Sequence, residues 1–211
     1  QDAYDSMIRV VSNSEKFIRS TSKKLKTNSR KPSFKLENLA PVLRGALISS
    51  SKTEQRYILS FRNSPVIKNF LGFGDMSRLV KCGPVTPDHV IWTKPKALLL
   101  PSNCNSIEIV RGVNNYIKDY ERYFEKNNRR YWGKKVMRDP LPRVIFVDGL
   151  GVFGVGESLE KARIVSELAE TFADVALKSE SLGFYAPASL QDIFDIEYWG
   201  PETAKLDKIK N

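Results

Sequence analysis

The chain holds one histidine, His89, among 211 residues, and that scarcity excludes more than any other feature. A three-histidine zinc site and a His-Glu-x-x-His pair both need more imidazoles than this chain has. Cysteine is nearly as scarce. Cys82 and Cys104 have no second Cys or His at chelating spacing, and two thiols in a chain this long do not make a disulfide framework. They read as inert, buried thiols in a reducing, cytoplasmic setting. No apolar run approaches the roughly 20 residues that cross a bilayer; 94–101 is the greasiest stretch and is far too short. The chain opens at Gln1 with no charged, apolar, then small-residue leader, so neither a signal peptide nor a membrane partner is expected.

Positive charge is what the sequence has in excess. The net charge is +10, while 41% hydrophobic and 27% charged residues are close to globular averages, so a packed core is expected. The length suits one domain or two small ones. Two basic clusters stand out: Lys23, Lys24, Lys26, Arg30, Lys31 and Lys35, then Arg129, Arg130, Lys134, Lys135 and Arg138. Tyr131 and Trp132 interleave the second and are of a type that stacks on bases. No nucleic-acid motif accompanies either cluster, so a solvated surface or a patch drawing in small anions is the better reading.

Helical spacing of Tyr4, Met7, Ile8, Val11, Phe17 and Ile18 predicts a helix over 2–19. It leaves almost no room for a cap, as expected of a cut made inside a larger protein. A basic, hydroxyl-rich stretch with Pro32 follows over 20–35 and reads as an exposed linker. Further helices are predicted over 36–49, 64–71, 106–126 and 159–181. Strands are predicted over 55–61, 96–100 and 143–147. Ser64 with Pro65, Ser158 and Gly183 supply helix-end signals. Strands alternating with helices argue for a layered α/β or α+β fold.

Gly149, Gly151 and Gly154 satisfy G-x-G-x-x-G directly after a strand. A dinucleotide site needs those glycines to run straight into a helix, with an acid about twenty residues on at the end of a second strand. Here Val152, Phe153 and Val155 continue with β-type residues, so a glycine turn and a second short strand are expected. Around His89, the turn 83–89 gathers Thr86 and Asp88. Asp88 is placed to orient the imidazole of a general base, although a capped turn with a structural histidine explains the same residues. Lys94 is of a type that binds phosphate oxygen. Asp192, Asp195 and Glu197 read as a solvated capping face.

Three stretches, GPVTPDHVIWTK (83–94), PRVIFVDGLGVFGVGESLEKAR (142–163) and DIFDIEYWGPETAKL (192–206), resemble in the same order the middle of the bifunctional class II aldolase/short-chain dehydrogenases of the rhamnulose-1-phosphate aldolase/alcohol dehydrogenase type. The opening AYDSMIRVVSNSEKFIR (3–19) resembles the helix after the last metal-ligand region of their aldolase half. The resemblance implies an α/β, layered helix-sheet-helix fragment of the class II aldolase/adducin type. An N-terminal helix and basic linker (1–35) would precede the aldolase-like second segment (36–211).

It implies a parent enzyme with zinc or another divalent metal held by histidines, retro-aldol cleavage of a sugar or sugar phosphate, and a following NAD(P)-dependent dehydrogenase. The remainder of the parent chain and a second copy are the implied protein partners. This chain would begin just after those histidines and end just before the dehydrogenase, so no metal or cofactor ligand carries over onto its residues. At Asp148-Gly149 it departs from the His-Gly metal motif of simple class II aldolases, which reads as a degenerate copy. Thr86, Asp88, His89 and Lys94 remain as candidate substrate contacts. The competing expectation is a non-catalytic spacer between aldolase and dehydrogenase.

Overall fold

The computed structural model describes residues 2–28, 31, 35–51 and 55–207. In chain order its elements are α1 (Asp2–Thr21), α2 (Leu36–Ser50), β1 (Ile58–Arg62), α3 (Pro65–Gly72), α4 (Met76–Leu79), α5 (Val90–Thr93), β2 (Leu98–Leu100), α6 (Ser106–Asn128), β3 (Val144–Val147), β4 (Gly151–Gly156), α7 (Leu159–Leu182), α8 (Leu190–Glu197) and α9 (Gly200–Asp207). The strands form one sheet in the order β1-β4-β3-β2. β1 and β3 pair antiparallel with β4. β2 runs parallel to β3. Among the described residues no helix is long and apolar enough to cross a membrane.

Strand periodicity sorts the core into two layers. Ile145 and Val147 of β3, with Phe153 and Val155 of β4, face Leu39, Leu43 and Leu47 of α2 and Ile109 and Val113 of α6. Val144, Phe146 and Val152 face the other way, onto α3, α4 and α7. The result is the expected helix-sheet-helix sandwich. Cys104 is buried and Cys82 half-buried; burial pushes both thiols up.

The glycines of 149–156 act in packing rather than in phosphate binding. Gly149 turns the chain between β3 and β4 at a φ of 74°, a backbone that disfavours side chains. A Cβ on Gly154 would lie 2.3 Å from the Ala162 carbonyl oxygen, and one on Gly156 would lie 2.3 Å from the Ala162 nitrogen. β4 therefore carries α7 at a distance only glycine permits. Small residues on α7, namely Ala162, Ser166, Ala169, Ala173 and Ala176, complete the contact.

Several expectations need correction. Leu159, the first residue of the predicted 159–181 helix, is 48% exposed in the first turn of α7 although it is apolar. Gly183 does cap α7, but with an extended backbone at φ −179° rather than a left-handed one. The described part of the basic linker is exposed at Lys23, Lys24 and Lys26, yet it is tied down. Lys23 N–H donates to the Ser181 carbonyl and Asn28 N–H to the Gly72 carbonyl. Arg30 and Pro32 lie outside the described residues. α1 buries none of its residues; Tyr4, Met7 and Phe17 are all more than half exposed.

Gly154→Ala is expected to destabilise the fold by about 2–3 kcal/mol, because two backbones must part to admit the methyl group. Gly45→Ala, on the open face of α2 with nothing near its Cβ position, should instead stabilise by up to about 1 kcal/mol. Urea denaturation of both variants checks the pair.

Candidate functional site

The candidate residues of the 83–94 segment occupy one continuous turn. Thr86 leads into a 3-10 turn over Pro87–His89, which runs directly into α5, and Lys94 closes α5. Asp88 is exposed, whereas Thr86 and His89 are half-buried. The Thr86 hydroxyl beside it holds the Asp88 carboxyl below the usual carboxylate range. No hydrogen bond joins Asp88 to the His89 ring among the described residues, so the carboxylate does not orient the imidazole here. His89 and Lys94 instead meet at a small cavity of ≈ 30 Å³, whose other walls include Cys82, Thr93, Phe146 and Phe172.

Lys94 points inward. Its backbone adopts φ 67° and ψ 169°, a region that costs a non-glycine residue about 1–3 kcal/mol. That conformation aims the ammonium into the protein, where the side chain is 5% exposed and Nζ stands 3.4 Å from Oε1 of Glu197, itself 1% exposed. Nζ also donates to the Tyr120 hydroxyl at 2.9 Å and lies 4.2 Å from the centre of that ring. The strain is sustained by an ion pair and a cation–π contact, both strengthened by exclusion from water.

Glu197 is the hub of this cluster. Its carboxylate accepts from Tyr120 at 2.6 Å and Tyr123 at 3.1 Å, both from α6. Because Tyr120 spends its proton on Glu197, the 2.6 Å contact with Tyr198 requires Tyr198 to donate. Tyr198 in turn accepts from the Arg138 backbone N–H at 3.4 Å. Burial, then the Glu197 charge, raises the Tyr120 phenol well above its ordinary value. Burial likewise depresses Lys94 to about 8, against the opposing pull of Glu197.

The expected solvated face of Asp192, Asp195 and Glu197 thus divides. Ser189 Oγ accepts from the Asp192 N–H to cap α8, and Asp195 pairs with Arg130 at 2.6 Å on the surface. Glu197 turns to the core. Spacing had a signal for this: Glu197 follows Ile193 and Phe194 at the helical interval of the buried stripe. The second basic cluster divides too. Arg130 is spent on Asp195, Lys135 donates to the Tyr198 carbonyl at 2.9 Å, and Arg129, Trp132 and Lys134 remain exposed.

A folded-state value below that of the unfolded chain means the folded protein releases the Lys94 proton first. Lys94 by itself therefore makes stability rise with pH between about 8 and 10, while the thiols and the buried tyrosines, whose folded values are raised, pull it down over the same range. Lys94→Met should flatten the rise and cost about 3–5 kcal/mol by leaving Glu197 unpaired, with much of that loss recovered in Lys94→Met/Glu197→Gln. Denaturant melts across this pH range measure both effects.

Comparison with known proteins adds the lineage of this arrangement. Residues 35–206 match the family model described as aldolase class II, second domain, a span that includes β1–β4 and the whole Lys94–Glu197 cluster. An uncharacterized oxidoreductase of Bacillus subtilis (strain 168), YuxG, is 25% identical over 178 residues. The match covers 81% of this chain and 25% of that protein, so the chain spans about a quarter of the length of this curated relative. No solved structure matches it. The chain belongs to the family of class II aldolase second domains.

Proposed function

We propose that this chain is the second part of the aldolase half of a larger, metal-dependent sugar-phosphate aldolase of the rhamnulose-1-phosphate type, fused to a short-chain dehydrogenase. The observation that carries the reading is the family match across 35–206. The relative's greater length and its description as an oxidoreductase support a parent protein with further domains.

The donor set of this chain does not fit the metal. Its single imidazole is half-buried beside an apolar cavity, and no group of three or more His, Cys, Asp or Glu is placed to hold an ion among the described residues. In this reading the metal and the NAD(P) belong to other parts of the parent, and no step is derived through either. This chain contributes a shaped wall. Thr86, Asp88 and His89 are the residues assigned to meet a sugar substrate, with His89 able to give or take a proton. Lys94 positions the turn from beneath. A second reading, a spacer that docks aldolase onto dehydrogenase and joins copies of the protein, draws support from the uncovered apolar face of α1.

His89→Ala in the complete protein is expected to lower kcat/KM for sugar-phosphate cleavage by about 10²-fold; unchanged kinetics would leave the spacer reading standing. Metal analysis of the dialysed chain by itself should find zinc only below stoichiometric amounts, and a full equivalent held by its own side chains would overturn the division of labour.

A further inference from the structure

On the far side of α5 from the His89 cavity lies a larger cleft of ≈ 310 Å³, between α5, the 138–143 segment, the end of β4 and the start of α7. Its charged walls are Lys94, Arg138, Arg143 and Lys161 against Asp139 and Glu157. Three of the cations are set deep: the side chains of Lys94, Arg143 and Lys161 are 5%, 14% and 13% exposed. Burying cations costs free energy unless anions compensate them, and here compensation is partial. Lys161 pairs with Glu157 at 3.0 Å. Arg143 pairs with Asp139 at 2.7 Å, while that same carboxylate oxygen also accepts from Tyr57 at 2.8 Å. The Arg143 Nη1 has no hydrogen-bond partner. Lys94 shares its charge with Glu197. Arg138 is half-buried, and its guanidinium makes no ion pair or hydrogen bond among the described residues.

The positive end of a 24-residue helix adds to this field. Gly156 and Glu157, which lead into α7, line the cleft, and a helix start favours negative charge. The remaining wall is apolar, with Ile91, Trp92, Val155 and Val165. We propose that this cleft is a binding site for a small phosphate monoester, its phosphate held by Arg138 and Lys161 beside the start of α7 and its organic part against Trp92. With Glu197 set against Lys94, the four cations of the wall face three acids and Arg138 is left over; a monoester brings about 1.5 to 2 negative charges and three acceptor oxygens at neutral pH. A carboxylate has two oxygens to share among Arg138, Lys161 and the helix start, where a phosphate has three. Arginine's planar fork suits two phosphate oxygens at once.

The residues assigned to the phosphate, Arg138 and Lys161, lie outside the His89 turn, although Lys94 lines both cavities; occupancy is measured without turnover, and a failed cleavage assay would not bear on it. Trp92 is one of three tryptophans, and Trp132 and Trp199 are 85% and 51% exposed. A Trp132→Phe/Trp199→Phe background therefore reports on the cleft alone. Titration with inorganic phosphate and with a sugar monophosphate should give a saturable change in Trp92 fluorescence, and the unphosphorylated sugar none. Arg138→Gln should weaken binding at least about 10-fold, and Arg129→Gln, on the open surface, should leave it unchanged. Lys161→Gln serves as a second variant should the first lose its native circular dichroism. Absence of a saturable change in the parent background, or equal weakening by Arg129→Gln, would overturn the proposal.

Discussion

A carboxylate sealed at Glu197 must be met by donors and a countercharge, and the C-terminal half of the chain is arranged around that requirement. α6 supplies two phenols and the end of α5 an ammonium, while the phenol of Tyr198 donates in turn to Tyr120. Removing one partner of such a pair costs several kcal/mol, although the intact pair adds little net stability over an apolar substitute. Its use is to define geometry. The pair connects α5, α6 and α8, which are far apart in sequence, and it fixes the end of the turn that carries His89. The left-handed backbone at Lys94 follows from the same demand, since an ordinary helix end would not aim the ammonium inward.

The second constraint is steric. β4 approaches α7 so closely at Gly154 and Gly156 that no side chain fits between them. This contact sets the start of α7 beside the end of β4 and opens the cationic cleft where the two meet. The glycines that mimic a dinucleotide fingerprint thus shape a site by letting a helix come near, while the helix itself begins only after the second strand.

The two features give the domain two unlike faces of α5. One is small and mostly apolar and holds His89; the other is roomier and cationic and holds Trp92. Lys94 lines both. The net charge of +10 has a comparable division. Some of the basic residues are paired on the surface, as Arg130 is with Asp195, whereas Arg138, Arg143 and Lys161 gather around a cavity.

The sequence by itself determined the layered fold. Apolar residues at helical and alternating intervals place α6, α7, β3 and β4, and Ser64, Ser158 and Pro65 mark helix starts, because these signals are local and need no neighbour to be read. A single histidine likewise leaves the chain without the imidazoles that a three-histidine zinc site needs. Tertiary structure alone decided the rest. The burial of Glu197, the inward turn of Lys94 and the tyrosines that meet them depend on residues 26 to 103 positions apart. Arg138 and Lys161 share a cleft only because β4 and α7 fold back on each other, and no spacing along the chain encodes that closeness.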